Sequence, residues 1–328
     1  QLKSLLDTLG MISHADIRSG LEEWLHPTPL PIYSLGRPEV TKITNRGQES
    51  FVLKMQVSNN SDYDGIIHID IQGVGRSSQN DIDPRTSRKI PLEAHQTKEL
   101  VSVWEDAPRD VTVNTLISGN LPSVINQPVG NIRQERRQNI DAEGDFIISD
   151  SSFGTEGEII VDNEDSTLFI LSEPDVVGLL PKWLDKVEDT SFKYSGVSSW
   201  RPPLEWTATT NANYYGKYIR SAYVIKSGNG SQTATWKIPV PSEGTYDAYY
   251  YVSKDNELRY NDRAQGEYRF RIRQGEESED AYINLRKANE GWEQLGVYYF
   301  VADTAYITLT NECKLRSVTA DAVKLVKR

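Results

Sequence analysis

Fifteen of the 17 tyrosines and five of the seven tryptophans in this chain lie beyond residue 157. Rings at that density point to one chemistry first. A pyranose is apolar on its faces and hydrogen-bonding at its edge, and Tyr and Trp match both properties at low entropic cost. The segment KYSGVSSWRPPLEWTATTNANYYGKY at 193–218 holds Trp200, Trp206, Tyr214 and Tyr215 among prolines, glycines and asparagines, with little strand periodicity. A long loop of this kind either folds over its domain as a plug or presents a binding platform. As a platform, its ligand-binding residues are Trp200, Trp206, Tyr214 and Tyr215, with Arg201 placed to stack on a ring or to pair with an acidic sugar.

Other chemistries find less to work with. His14, His26, His68 and His95 are the only histidines, and none stands at a metal-ligand spacing from another. No HExxH or GxSxG occurs, so neither a zinc peptidase helix nor a serine nucleophile elbow is encoded. Cys313 is the single cysteine, which excludes an intramolecular disulfide. Glu276, Glu277, Glu279 and Asp280 cluster where a hairpin tip is expected, and they read as a solvated charged turn. Asp162, Asn163, Glu164 and Asp165 collect the oxygen ligands that calcium prefers, but without the spacing of an EF-hand loop. Asp and Asn side chains bonding their own backbone explain that run equally well. The expectation is therefore a non-catalytic chain with no catalytic residues, no metal site and no required cofactor, structural calcium being the one open option.

The elements that must position the rings are mostly strands. Residues 2–25 carry two short helical patterns that end at HPTPLP, where prolines remove backbone donors. From 36 to 133 the pattern alternates. FVLKMQV and IIHIDIQ flank NNSDYDG and read as a hairpin, with further strands at 99–104 and 111–118, which together suggest an Ig-like antiparallel sandwich. Residues 134–157 are polar and weakly patterned and read as a linker, although FIIS at 146–149 could add an edge strand to either neighbour. Beyond it, 158–328 holds one helical pattern at 174–187 and eight strand patterns, at 222–226, 233–238, 246–253, 267–273, 281–285, 295–301, 305–310 and 321–326. These describe a jelly-roll-like sandwich. The fold class is thus mainly β: two antiparallel β-sandwich domains preceded by a short helical segment, 1–30.

Alternation assigns the strand tyrosines as well. Tyr246, Ala248, Tyr250 and Val252 share one face, while Asp247, Tyr249 and Tyr251 share a wetter one. Likewise Leu295, Val297, Tyr299 and Val301 form an apolar face, so Trp292, Leu295 and Tyr299 are expected to build the sandwich. Cross-strand aromatic pairs stabilise a sheet by about 0.2–1 kcal/mol each and need no ligand to justify them.

The ordered set GTYDAYYYV, GEESEDAYINL, GWEQLGVYYF, TAYITLTN and TADAVKLVK resembles the golvesin and xanthan-lyase carbohydrate-binding-like domain over most of 158–328. That resemblance implies an extracytoplasmic β-sandwich of bacterial proteins that binds polysaccharide or cell-surface glycan. A second resemblance, carried by EEWLHPTPLPIYSL, FVLKMQVSNNSDYDGIIHIDIQ and ISGNLPSVINQPVGNI, links 1–133 to the region after the catalytic domain in aminopeptidase N-like membrane proteins of Bacteroidetes. It implies that 1–30 is the helical remnant of a preceding domain, that the chain, which begins at Gln1, is the non-catalytic end of a larger parent chain, and that its domains could instead serve that parent as structural or protein-binding supports. The net charge of −11 disfavours nucleic acid as partner. No run of about 18–20 apolar residues offers membrane insertion.

Overall fold

The computed structural model describes residues 29–45, 48–74, 76–78, 81–135, 142–149, 157–172, 193–198, 200–253 and 266–328. The helical patterns expected at 1–25 and 174–187 lie outside the described residues.

Among the described residues twelve strands precede residue 150: β1 (Tyr33–Leu35), β2 (Glu39–Asn45), β3 (Gln48–Asn59), β4 (Gly65–Gln72), β5 (Arg76–Ser78), β6 (Asp81–Ile82), β7 (Ser87–Leu92), β8 (Thr97–Trp104), β9 (Asp110–Asn114), β10 (Val124–Pro128), β11 (Arg133–Glu135) and β12 (Gly144–Ile148). One sheet runs β11-β2-β3-β8-β12 with β1 also on β3, and a second runs β10-β9-β4-β7. Leu53, Met55, Val57, Leu100 and Trp104 from the first meet Ile67, Ile69, Ile71, Ile90, Val111 and Val113 from the second in one buried cluster. Two sheets, each apolar on one face, have closed on each other.

The pairing expected between 51–57 and 67–71 is different in the structure. β3 pairs with β1, β2 and β8, whereas β4 pairs with β7 and β9, so the NNSDYDG turn crosses between sheets instead of closing a hairpin. Asn59 holds that crossing, its Nδ2 donating to the carbonyls of Tyr63 at 2.7 Å and Glu93 at 3.1 Å. The stretch read as a linker also contributes edge strands. β11 lies parallel to β2, and β12, which contains most of FIIS, lies antiparallel to β8.

The second region contributes β13 (Glu158–Val161), β14 (Phe169–Leu171), β15 (Thr207–Thr210), β16 (Ser221–Lys226), β17 (Thr233–Pro239), β18 (Gly244–Val252), β19 (Glu267–Gln274), β20 (Glu277–Asn284), β21 (Gly291–Phe300), β22 (Thr304–Thr310), β23 (Ser317–Ala320) and β24 (Val323–Lys327). Every one of the eight expected strands forms. They build sheets β13-β24-β18-β21 and β14-β17-β22-β19-β20, and a shorter sheet β15-β16-β23 stands beside them. All three contribute to one core, which includes Tyr250, Val323 and Leu325 from the first, Trp236, Phe270 and Ile307 from the second, and Ile225 and Val318 from the third. Trp236 is fully buried, its ring 5.4 Å from Phe169 and 6.0 Å from Tyr250, and its Nε1 donates to the Asp321 carbonyl at 3.1 Å. The hydroxyl of Tyr250 donates to the Thr319 carbonyl, and that of Tyr268 accepts from the Thr319 amide at 2.9 Å. Burying such a ring contributes about 1.5–3 kcal/mol, and the satisfied hydroxyls spare the cost of an unmade bond. The inward face of β18 is therefore structural.

β21 corrects the expected alternation. Ala248 pairs with Gly296 but Tyr249 pairs with Gln294, so Leu295 is an extra residue in the ladder. Such a bulge reverses the facing of everything after it. Leu295 and Phe300 are buried, while Val297 and Tyr299 are 42% and 65% exposed. Tyr299 faces solvent and does not build the core.

The two regions meet through backbone. The Leu121 amide donates to the Tyr218 carbonyl at 3.0 Å, and the Arg220 amide donates to the Leu121 carbonyl at 2.7 Å.

Candidate functional site

Segment 193–218 is anchored at several points to the sheet beneath it. The Ser195 amide donates to the Ala208 carbonyl at 2.8 Å, and β15 then pairs with β16, placing Thr207 opposite Val224. The Lys226 amide donates to the Pro203 carbonyl at 2.7 Å, fixing the proline turn to the end of β16. Prolines 202 and 203 suit this place, since only the carbonyl is asked to bond. The Arg201 amide closes a turn onto the Ser198 carbonyl at 3.1 Å and leaves Trp200 at its tip.

The five residues expected to bind ligand go to four places. Trp200 and Arg201 come together on an open groove of about 540 Å³, lined also by Pro202, Leu204, Lys226 and Arg316. Trp200 is 71% exposed and Leu204 77%. Trp206 packs partly buried against the core, with its Nε1 buried and without a hydrogen-bond partner among the described residues. Tyr214 is only 2% exposed, so its ring is interior and cannot offer a face to a ligand. Tyr215 lies on the outer face of a different sheet, 5.4 Å from Tyr251 and 5.1 Å from Trp292.

Lys226 and Arg316 were not legible as site residues. They lie far apart in sequence, and what joins them is pairing. Lys226 stands opposite Ser317 in the β16–β23 ladder, and the Ser227 amide donates to the Arg316 carbonyl at 3.0 Å. The Arg316 guanidinium then sits 5.5 Å from the Trp200 ring centroid, a cation–π distance. The groove thus combines an exposed indole, exposed aliphatic surface and three cations.

The Tyr215 side of the domain is built differently. The Tyr215 amide donates to both carboxylate oxygens of the fully buried Asp321, at 3.2 Å each. Burial holds the Asp321 carboxyl well above the usual range, and the nearby Asp162 adds to that shift. Asp162 is itself pushed up to about 8 by burial, with Asp165 and Glu164 adding negative charge beside it. Burial pushes Arg220 down and raises Tyr215 to about 12. Trp292 carries Lys324 4.9 Å over its ring, and Lys324 pairs with Glu158 at 2.8 Å. These ring faces already have occupants.

The oxygen-rich run 162–165 is likewise engaged by protein. Asp162 accepts from the Asn163 amide at 2.7 Å, and Asp165 accepts from the Asp162 amide at 2.9 Å. Burial acts to raise Glu164, but hydrogen bonds from Lys193, Ser221 and Tyr194 outweigh it and hold the carboxyl below its ordinary value. Among the described residues no group of three or more His, Cys, Asp or Glu side chains is placed to hold a metal ion. No helix among them is long and apolar enough to cross a membrane. A second depression, about 360 Å³ between Asp70 and Thr112 in the first sandwich, has no aromatic residue in its lining.

Residues 197–327 match the family model of the Golvesin C-terminal domain. No curated protein matches the chain. Among solved structures, the chain is similar to a Paenibacillus xanthan lyase at 17% identity and a TM-score of 0.37, over 92% of this chain and 27% of the lyase. It is also similar to a GH26-CBM35 beta-(1,4)-mannanase of Podospora anserina, at 16% identity and a TM-score of 0.29, over 53% of this chain and 28% of that one. A Bacteroides uniformis beta-glucuronidase 2 aligns at 10% identity and a TM-score of 0.23, over 93% of this chain and 31% of the enzyme. The chain therefore spans about a quarter to a third of these proteins' lengths, and so distant a likeness assigns neither ligand nor activity. None of these findings supports the resemblance of 1–133 to aminopeptidase N-like proteins.

Proposed function

We propose that the second sandwich is a non-catalytic carbohydrate-binding module, acting outside the cytoplasm as part of a longer chain, and that it takes polysaccharide or cell-surface glycan in the groove beside Trp200. The family match over 197–327 supports the class of function. The observation that carries the site is Trp200 itself: a large ring, 71% exposed, on a loop whose backbone is fixed to β16. An exposed indole on an anchored loop meets a sugar face with little ordering cost. Arg201 and Arg316 stand where ring hydroxyls or acidic substituents would reach. Tyr214 and Trp206 serve the same loop from below, holding its shape.

A glycan array tests this reading with the intact protein and the Trp200→Ala variant. Binding to at least one polysaccharide class by the intact protein, lost by about ten-fold or more in the variant, is expected, since truncating the central aromatic anchor of a binding site costs about 2 kcal/mol or more. No binding across neutral and acidic polysaccharides, or binding unaffected by Trp200→Ala, removes the proposal.

A second reading keeps both sandwiches as supports for a partner protein. Ile117 at 80% exposure and Ile147 at 70% favour it, because apolar side chains this open on the first sandwich suit a protein contact better than a sugar.

A further inference from the structure

We infer that the groove beside Trp200 selects sugars that carry a carboxylate, uronates above all. The inference rests on the glycan-binding reading and adds to it the class of ligand. Among the described residues every charged side chain in the groove lining is a cation: Arg201, Lys226 and Arg316. That local excess stands out in a chain of net charge −11, in which acids outnumber bases 47 to 36. Arg201 and Lys226 form no ion pair among the described residues, so their charge is not already neutralised by a neighbouring carboxylate.

Placement adds to charge. Lys226 ends β16, Arg316 immediately precedes β23, and Arg201 lies in the turn tied to β16 through Pro203, so three separate segments deliver one cation each to the same opening. Like charges gathered this way repel one another, and an anion seated among them relieves the repulsion. A guanidinium offers a planar fork that matches a carboxylate with two parallel hydrogen bonds, and such charge-assisted bonds are about twice as strong as neutral ones. A uronate carries its carboxylate at the edge of the pyranose ring. With the ring's apolar face on the Trp200 indole, that edge is directed along the groove wall where the cations stand. A neutral hexose would satisfy the indole and offer Arg201 and Lys226 no charged partner.

The test titrates the intact protein calorimetrically with polygalacturonate and with the same polymer after reduction of its carboxyl groups, alginate and hyaluronan serving as second and third polyuronates. At least one polyuronate is expected to bind about ten-fold or more tightly than the carboxyl-reduced polymer, the difference that one charge-assisted pair supplies. The Arg201→Gln/Lys226→Gln double variant is expected to lose that preference, while Trp200→Ala loses binding to both polymer forms. Equal affinity for charged and reduced polymers, with Trp200→Ala still abolishing both, overturns the selectivity and leaves glycan binding standing. Absence of binding to all three polyuronates, while a neutral polysaccharide binds, has the same meaning. Binding to none of the polymers removes the glycan reading as well. Dextran sulfate bound as tightly as the polyuronates and unaffected by Trp200→Ala would mark unspecific attraction of polyanions, and would also overturn the inference.

Discussion

Trp200 and Tyr214 come from one loop and end in opposite environments, 71% and 2% exposed, and the difference sets what each substitution does. Tyr214→Ala is expected to cost about 3 kcal/mol or more in urea unfolding, as truncation of a buried ring does, while Trp200→Ala stays within about 0.5 kcal/mol of the parent protein. The carboxyl of Asp162 makes a second prediction. Its pKa rises from 3.8 to about 8 in the folded protein, so the folded state holds a proton that the unfolded chain has released. Stability from this group is fully present below about pH 4 and falls as pH climbs toward 8. Asp162→Asn is therefore expected to flatten the decline in melting temperature between pH 5 and pH 8 and to raise the value at pH 8; an unchanged slope would contradict the burial argument. At this scale the sequence announced residue types but not their exposure. Nothing in TTNANYYGKY distinguishes Tyr214 from Tyr215, because exposure there follows from how the loop closes on Asp321 and not from a period.

Among the elements, regular strands were legible because their side chains alternate with a period of two. TATWKIP and TAYITLT bury every second residue as they should. Of the three β21 residues expected to build the sandwich only Leu295 joins the core: a bulge inserts one residue without changing local composition and turns Tyr299 outward, and Trp292 packs with Tyr215 and Tyr251 instead. The turn between β3 and β4 misled for a related reason: a loop that closes a hairpin and one that crosses between sheets use the same Asn, Asp and Gly. Short strands such as β15 and β23 carry too few residues to show a period, and β15 lies inside the segment that reads as loop. The loop around Tyr215 gives a prediction at this scale. Gly216 has φ of +148°, and a Cβ there would meet the Ile219 carbonyl oxygen at 1.8 Å. Gly216→Ala must distort the turn that brings Arg220 to Leu121, and a loss of about 2 kcal/mol or more by denaturant unfolding is expected.

For the whole molecule, two sandwiches with separate cores were legible from length and pattern, since each core needs its own set of alternating strands. Their backbone contact at Leu121 and Arg220 was not, because no local signal marks which loops of two domains will meet. The groove was only half legible: Trp200 and Arg201 stand in a conspicuous loop, whereas Lys226 and Arg316 join them through strand pairing between distant segments. Under the proposed function this groove, and no other ring-bearing surface, receives the glycan. Tyr299 on β21 and Tyr63 in the first sandwich, 65% and 45% exposed, provide internal controls. Oxidative footprinting of the intact protein, read by mass spectrometry with and without saturating polysaccharide, tests the claim most directly. Protection concentrated at Trp200, with Tyr299 and Tyr63 oxidised equally in both states, is the predicted result; protection at Tyr299 or Tyr63 with Trp200 unchanged would contradict it.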